Sequence, residues 1–276
     1  MIPLAKALGA PYSFCMRLFY RPLLKQLLQS TVRTHRAAGR PALAGYAFDH
    51  ISLKVLLDGR FAHHELNALE QLLFPQLEPG GVCLDIGANI GNHAVNFADH
   101  FSRVLAFEPN SKAIDLLRIN AKLRDNITVY PVGLSAKKEI IEVSQPAHNL
   151  GGTGANAKGT MTDQRVKLPL VPLDTVDLGL DGKPITFVKI DVEGLEAEVI
   201  QGGAETLRKH RPVIGMEVDR RSIKNGSSPA INGALELGYQ HMYAILRGHS
   251  ARIRPVGRAA ARNYPLLLLS TTPLKF

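Results

Sequence analysis

The chain has 276 residues, of which 45% are hydrophobic, and its net charge at pH 7 is +9. That length suffices for one sizeable core with a terminal appendage. The two cysteines, Cys15 and Cys83, form no C-x-x-C pair, which argues against a disulfide framework or a thiolate zinc site and favours the reducing cytoplasm as the compartment.

The positive charge is concentrated at the two ends of the chain. Residues 1–48 contain seven Lys or Arg and no acidic residue, and residues 237–276 contain six and none, so the middle of the chain is net acidic. We therefore expect a basic N-terminal extension at 1–48 and a main domain at 49–276, with its core motifs at 81–240. An acidic core with few aromatics in the tails argues against nucleic acid as a partner.

Residues 4–34 predict a basic helix that is interrupted by Pro22 or begins near it. Its basic residues include Lys6, Arg17, Arg21 and Lys25. One interpretation is a helix packed on the domain with a solvated basic face, and the other is an amphipathic helix lying peripherally on an anionic membrane. The uncharged window between Lys6 and Arg17 is far shorter than the roughly 20 residues of a membrane span, so we expect no transmembrane segment.

The next predicted elements lead into the core of the chain. After a linker at 39–45, residues 51–57 alternate in polarity and predict a strand that ends in the turn Asp58-Gly59. Residues 65–74 predict a helix. The preceding pair His63-His64 has no third ligand at helical spacing, so it predicts no metal site.

Residues 81–110 predict a strand, a glycine turn, a helix and a second strand. The apolar run 82–86 is typical of a strand buried on both faces. Gly87 and Gly91 allow a tight turn and a close approach of the backbone to a ligand, and the helix predicted at 92–101 directs free N–H groups at that turn.

A carboxylate closes the second strand of this unit, which spans 104–107. Glu108 follows Asp85 by 23 residues, a position from which a carboxylate can accept hydrogen bonds from both hydroxyls of a ribose. The alternative for Glu108 is a solvated turn acid, and for Asp85 a strand-end acid that holds the following loop. The two acids together in this frame indicate a nucleoside-cofactor site.

The glycine turn favours one cofactor over another. It reads Gly87-Ala88-Asn89-Ile90-Gly91 and lacks the middle glycine of the dinucleotide fingerprint G-x-G-x-x-G. Asp85, two residues before the first glycine, would repel a pyrophosphate but suits the amino group and sulfonium of S-adenosylmethionine (SAM). We therefore favour SAM over NAD, and keep a nicotinamide-dependent oxidoreductase as a rival.

The second half of the chain continues the alternation of strands and helices. Ser111 is predicted to cap a helix that ends at Leu123. The elements predicted after it are strands at 127–132, 139–144, 166–170, 185–190 and 212–218, helices from Gly194 to about Arg208 and at 229–237, and a terminal antiparallel pair, 239–246 with 264–270. This order predicts an α/β fold with a doubly wound, mainly parallel Rossmann-like sheet, an antiparallel edge strand and a small N-terminal extension of helix and strand.

Five motifs resemble the FkbM family of SAM-dependent methyltransferases. They are LDIGANIGNHA, AFEPN, VGLS, VKIDVEGLEAEVIQGG and PVIGMEVD. The similarity covers roughly Leu84 to Tyr239 and is most specific from Lys189 to Gly203, and the sequence departs from the usual pattern at His93-Ala94, where a hydroxyl residue often follows the histidine. The resemblance implies a class I methyltransferase fold and O-methylation of a hydroxyl on a sugar, glycolipid or polyketide-like acceptor.

The ends of parallel strands meet at one edge of a sheet, so we expect the cofactor residues to line a single cleft there. The resemblance implies that Gly133 and Leu134 line the adenine. The candidate cofactor-binding residues are Asp85, Gly87, Ala88, Asn89, Gly91, Asn92, Glu108, Pro109, Asn110, Gly133 and Leu134.

Methyl transfer to a hydroxyl needs a group that removes the hydroxyl proton. Asp191 ends the fourth parallel strand and is the candidate base, Glu193 follows in the same turn, and Lys189 lies on the same face of the strand and can orient Asp191. The alternative is that the two acids only stabilise a helix N-terminus. His148 is a rival base in a polar, glycine-rich insert at 146–164, which is either disordered or an acceptor-side lid.

A divalent metal is a further alternative that we do not favour. Asp191 with Glu217 or Asp219 offers hard oxygen ligands from neighbouring strand ends, but two such acids are common in this type of sheet without metal. The sequence thus predicts a SAM-dependent O-methyltransferase that acts on a sugar hydroxyl of a glycan or glycolipid, or on a related secondary metabolite. The non-catalytic alternative is a SAM-binding module that docks on a membrane.

Overall fold

Two β-sheets organise the chain in the computed structural model, which describes residues 14–47, 49–145, 164–217, 223, 227–246, 250–264 and 266–276. The strands are β1 (Val82–Ile86), β2 (Arg103–Phe107), β3 (Ile127–Tyr130), β4 (Gly133–Leu134), β5 (Glu139–Gln145), β6 (Gln164–Val171), β7 (Ile185–Ile190), β8 (Val213–Glu217), β9 (His241–Ile245), β10 (Ile253–Pro255) and β11 (Leu266–Ser270). The α-helices are α1 (Phe14–Ala37), α2 (His50–Asp58), α3 (His63–Ala68), α4 (Asn92–Phe97), α5 (Ser111–Ala121), α6 (Glu196–Gly202), α7 (Ala204–His210) and α8 (Pro229–Glu236).

The larger sheet has the strand order β10-β9-β11-β8-β7-β1-β2-β3. The strands β3, β2, β1, β7 and β8 are parallel, and β11 runs antiparallel to both β8 and β9. The chain moves outward from β1 to β3 and then returns to β7 on the other side of β1, so the strand order reverses between β1 and β7. This confirms the predicted doubly wound sheet and places the ligand crevice beyond the carboxyl ends of β1 and β7.

Apolar side chains pack on both faces of this sheet. One cluster includes Leu84, Val188 and Met216 with residues of α6 and α8, and the other includes Phe187 with Phe97 and further aromatic and aliphatic residues. Side chains alternate between faces along a strand, so β1 and β7 bury both faces and read as continuous apolar runs. That is why the sequence pattern located these two strands to the residue or nearly so.

A second sheet has the order β4-β6-β5. β5 and β6 are antiparallel, from the pair Glu139↔Leu170 to Gln145↔Gln164. The predicted strand pair is thus confirmed, but it forms a sheet of its own. The insert with His148, which the sequence places between these strands, lies outside the described residues.

The predicted strand at 51–57 is wrong, because these residues form the helix α2. The Asp49 side chain accepts hydrogen bonds from the amide and hydroxyl of Ser52, at 2.9 and 3.0 Å, and so caps the helix N-terminus. Gly59 ends the helix at φ 80° with its amide bonded to the Val55 carbonyl. A cap at each end therefore outweighs the alternating pattern, and the extension is helical with no strand in its described part.

Other helix boundaries also differ from expectation. α1 continues through Pro22 as one helix. The cap of α5 is Asn110, whose side chain accepts from the Lys112 amide, and not Ser111. The helix expected after Gly194 is two helices that meet at Gly203. The predicted domain boundary at residue 48 stays a prediction. None of the described helices has the length and apolar composition that a membrane crossing requires.

A substitution at Gly202 tests how tightly α6 packs on the turn that follows β4. A Cβ at this position would overlap the carbonyl oxygen of Ser135. We expect Gly202→Ala to lower the free energy of unfolding by about 1–3 kcal/mol, the usual cost of overpacking, in a urea titration. Gly257→Ala is the matched control, since no atom lies within 4 Å of its Cβ position. Equal losses in both variants would contradict the packing argument.

Candidate active site

The cleft lies at the carboxyl ends of β1 and β7, as the strand order requires. The Asp191 amide donates to the Ile86 carbonyl at 3.0 Å and ties the loops after the two strands together. Gly87 adopts φ +83°, and a Cβ there would overlap the Asp191 carbonyl oxygen. Only glycine therefore allows the two loops to approach this closely.

Glu108 is held at the wall of the cleft by two backbone amides. Its Oε2 accepts from the Asn89 amide at 2.9 Å, and its Oε1 accepts from the Asn110 amide at 2.8 Å. Burial raises the pKa of Glu108 to about 7, while these two hydrogen bonds oppose the rise. A carboxyl oxygen has two lone pairs, so each oxygen keeps one for a ligand.

Most of the sequence-predicted site residues line this cleft. They are Gly87, Ala88, Asn89, Asn92, Glu108, Pro109, Asn110, Gly133, Leu134, Asp191 and Glu193. Gly91 does not line it; it starts α4 at φ +89°, and a Cβ there would press on Leu117. Asp85 and Lys189 are 0% and 2% exposed and lie below the cleft surface.

A buried ion network connects these two residues to the cleft. Asp85 on β1 is the register partner of Lys189 on β7, and the Lys189 Nζ donates to the Asp191 Oδ2 at 2.9 Å. Burial alone would lower the pKa of Lys189, but the carboxylates of Asp191, Asp85 and Glu217 outweigh it and raise the pKa above its ordinary value. Lys189 is therefore a fixed cation beneath the cleft.

Two carboxyl groups near Lys189, those of Asp85 and Glu217, have raised pKa values. Burial raises the pKa of Asp85 to about 6, with Lys189 opposing the rise and Asp191 adding to it. Neither oxygen of Asp85 has a hydrogen-bond partner of ordinary geometry within the described part of the chain. At the end of β8, burial and Asp191 raise the pKa of Glu217, which lines the cleft, to about 8.

Asp191 and Glu193 do not belong to a helix terminus. α6 begins at Glu196, and the acids of its first turn are Glu196 and Glu198. Glu193 instead occupies a left-handed backbone conformation at φ 52° in the loop before the helix. The alternative that these two acids serve only to stabilise a helix N-terminus is therefore wrong, and the loop directs them at the cleft.

The N-terminal helices supply cleft residues that the sequence reasoning missed. His50 and Ile51 of α2 and the nearby Phe61 line the cleft. The side chain of Asn92 fixes Phe61, accepting from its amide at 3.0 Å and donating to its carbonyl at 3.2 Å. The caps Asp49 and Gly59 are a local signal for the helix α2, which the alternating pattern of 51–57 predicts as a strand, but they carry no information on its position at the cleft.

His93 is a further residue that the prediction did not include. It is 8% exposed and lines the cleft, and its ring lies 5.6 Å from that of Phe97, centroid to centroid, in a tilted arrangement. Burial, reinforced by the positive charges of Lys189 and Arg60, lowers the pKa of His93 well below its usual value. The imidazole is therefore neutral at physiological pH and presents a hydrogen-bonding group without charge.

Two of the proposed alternatives fall outside the structural description. His148, the rival base, and Asp219, a possible metal ligand, are not among the residues that the structure describes. Within the described ranges, no group of three or more His, Cys, Asp or Glu residues is arranged to hold a metal ion.

The ion network predicts a pH-dependent loss of stability when its cation is removed. Lys189→Met leaves buried carboxyl groups unpaired, which usually costs about 3–5 kcal/mol. The pKa values of Asp85 and Glu217 would rise further, so the folded state would hold protons that the unfolded state releases, and stability would fall as the pH rises. In urea titrations the loss should therefore be larger near pH 8 than near pH 5.

Lys183→Met, at an exposed position just before β7, is the matched control and should cost little at either pH. An equal loss for Lys189→Met at both pH values would contradict the network. In the double variant with Asp191→Asn, part of the lost stability should return, because one unpaired carboxylate is removed.

Comparisons with known proteins find relatives of this chain among methyltransferases. The model of the methyltransferase FkbM domain matches residues 85–251. The hexuronic acid methyltransferase AglP of Haloferax volcanii is 34% identical over 147 residues, which is 52% of this chain and 59% of AglP. The 2-O-methyltransferase NoeI of Sinorhizobium fredii is 27% identical over 169 residues, 55% of this chain and 69% of NoeI.

Solved structures show distant likeness. The methyltransferase FkbM from Methylobacillus flagellatus KT aligns with a TM-score of 0.44 at 16% identity, over 92% of this chain and 60% of that one. The precorrin-6y C5,15-methyltransferase from Geobacter metallireducens GS-15 aligns with a TM-score of 0.39 at 16% identity, over 73% and 82%. Since the family model covers more than half of the sequence, the chain belongs to the FkbM family of methyltransferases.

Proposed function

We propose that this methyltransferase uses SAM and methylates a hydroxyl of a sugar in a glycan or glycolipid, or of a related secondary metabolite. The observation that carries the proposal is the acidic cleft at the sheet's switch point, with Glu108 held between two backbone amides. Such a carboxylate is suited to the two hydroxyls of a ribose. The cleft therefore fits a nucleoside cofactor that carries positive charge.

The residues present fit SAM at both of its polar ends. Glu108 would hold the ribose, while Pro109, Gly133 and Leu134 offer the surface that the base needs. The carboxyl groups of Asp191 and Glu217, with Asp85 below them, favour the amino group and sulfonium. The Oδ1 of Asn89, buried without a hydrogen-bond partner among the described residues, is a further acceptor at this wall. SAM supplies an electrophilic methyl group.

The acceptor class is inferred from the relatives together with the cleft. AglP is named as a hexuronic acid methyltransferase and NoeI as a 2-O-methyltransferase. The first name gives a sugar acid as the acceptor and the second gives an oxygen as the methylated atom. Methylation of a hydroxyl oxygen needs a proton acceptor near that hydroxyl. The carboxylates at the ends of β7 and β8 meet that need.

Asp191 is the proposed base. Its side chain is 27% exposed and opens on the cleft, while Lys189 holds one of its oxygens from below. Lys189 acts as a positioning residue, leaving the other oxygen to orient the acceptor hydroxyl and take its proton as the new C–O bond forms. Glu193 in the same loop is a second acidic contact for the acceptor.

Glu217 is the rival base within the described cleft. Burial raises its pKa to about 8 in the free protein. If Glu217 removed the proton, kcat/KM would fall as the pH drops below about 8, because only the ionised carboxylate accepts a proton. If Asp191 does so, Glu217→Gln retains most of the transfer rate at saturating SAM.

Cofactor binding should release protons. A cation in the cleft favours the ionised forms of Glu108 and Glu217, whose pKa values are about 7 and 8, so SAM affinity should rise with pH between about 6 and 8. Calorimetry in buffers of different ionisation enthalpy measures the proton count directly. Binding without proton release would contradict this electrostatic account of the cleft.

Glu108→Ala removes the proposed ribose acceptor. The loss of charge-assisted hydrogen bonds, about 1.5–3 kcal/mol, should weaken SAM binding by roughly tenfold or more. Glu236→Ala, an exposed glutamate on α8, is the control and should bind SAM as the parent does. Unchanged affinity in Glu108→Ala would exclude the ribose role.

The function itself is tested by transfer of labelled methyl from SAM into lipid, soluble-glycan and nucleic-acid fractions of cell material. We expect base-stable label in glycolipid or glycan. At saturating SAM, Asp191→Asn should lower the transfer rate by about 10²-fold or more, as loss of a general base does, whereas Asp181→Asn at an exposed position should leave it unchanged. Label in nucleic acid would overturn the acceptor class.

A further inference from the structure

Helices α1 and α2 expose a set of large apolar side chains, here called the apolar face. Each member has between 42% and 58% of its surface exposed. The apolar face consists of Tyr20, Leu23, Leu24, Leu27, Leu53, Leu56 and Leu57. Scattered single apolar residues are ordinary on a protein surface, but a contiguous group marks an interaction site.

The members of the apolar face are spaced as neighbours on a helix surface. Positions 20, 23, 24 and 27 follow the i, i+3, i+4, i+7 pattern on α1, and 53, 56 and 57 follow the i, i+3, i+4 pattern on α2. The two helices are joined where His35 contacts the Leu57 carbonyl at 3.1 Å. α2 has no buried residue, so the described part of the chain leaves this side uncovered.

Basic side chains flank the apolar face. Arg21, Lys25, Arg33 and Arg36 are exposed on α1, and Lys54 is exposed on α2. Residues 14–47 contain no acidic residue. On a helical wheel the arginines and lysines of α1 lie beside and behind its apolar stripe, the arrangement of a helix that lies in a charged interface.

We propose that the apolar face docks on an anionic lipid bilayer, with α1 lying in the plane of the membrane. α1 has 24 residues, and it is too polar to cross a bilayer; an interfacial position buries its leucines and leaves its basic side chains among the headgroups. The charge of this region argues against a second copy of the chain as the partner that covers the apolar face. Two such faces would bring the same basic residues together, whereas an anionic surface neutralises them.

The docked orientation relates the membrane to the cleft. α2 contributes His50 and Ile51 to the cleft and Leu53, Leu56 and Leu57 to the apolar face. The mouth of the cleft would thus lie close to the bilayer surface. The docking inference does not depend on the proposed cofactor or acceptor, since it is drawn from the exposure and charge of α1 and α2.

The test is flotation of the full chain with vesicles. We expect binding to phosphatidylcholine vesicles that contain phosphatidylglycerol, much less binding to phosphatidylcholine alone, and weaker binding as salt rises. The variant Leu23→Asp/Leu27→Asp should reduce binding by at least about tenfold, because it places charge in the apolar stripe.

The matched control is Gln26→Asp/Gln29→Asp, which adds the same charge to exposed positions on the polar side of the same helix. It should lose clearly less binding than Leu23→Asp/Leu27→Asp, because it weakens only the electrostatic attraction and leaves the apolar stripe intact. Equal losses in the two variants would show that charge alone acts and would overturn docking through the apolar face. If the full chain floats with neither kind of vesicle, docking through the apolar face is also overturned. The same holds if the parent chain forms a dimer that dissociates in Leu23→Asp/Leu27→Asp and persists in the control variant. Thermal melts and SAM binding should match the parent in both variants.

Discussion

The ammonium group of Lys189 beneath the switch point is the constraint on which the site depends. Removing a charge from water is costly unless opposite charges surround it, and here Asp191, Asp85 and Glu217 supply them. Strand pairing puts Asp85 beside Lys189, and the loop after β7 returns Asp191 to it at 2.9 Å. The arrangement of the cleft therefore follows from the pairing of β7 with β1 on one side and with β8 on the other.

Burial and the charges of this network together determine the proton occupancy of the cleft. Burial disfavours the ionised forms of Asp85 and Glu217, and repulsion from Asp191 adds to the effect, so their pKa values rise to about 6 and 8 although Lys189 opposes the rise. A bound cation would stabilise the ionised carboxylates and so favour the release of these protons. The free cleft is thus arranged so that a positively charged ligand binds in exchange for protons.

The fold and much of the cleft could be predicted because a buried parallel strand is recognisable in the sequence as a short, mainly apolar run. β7 was predicted with its observed bounds, and Glu108 and Asp191 follow strand ends where ligand groups belong. The N-terminal helices were harder. Alternation at 51–57 indicated a strand, and only the tertiary pairing of Asn92 with Phe61 brings His50 and its neighbours to the cleft, which no local pattern records.

Composition revealed the basic N-terminal region but could not tell which of its side chains the domain would cover. A helix packed on the domain should bury its leucines, yet Leu23 and Leu27 are 58% and 57% exposed. α2 exposes Leu53, Leu56 and Leu57 and borders the cleft with His50 and Ile51 at its N-terminal end. If both proposals hold, one short helix connects membrane contact to the acceptor side of the reaction, and an acceptor anchored in the bilayer reaches the cleft without leaving the surface.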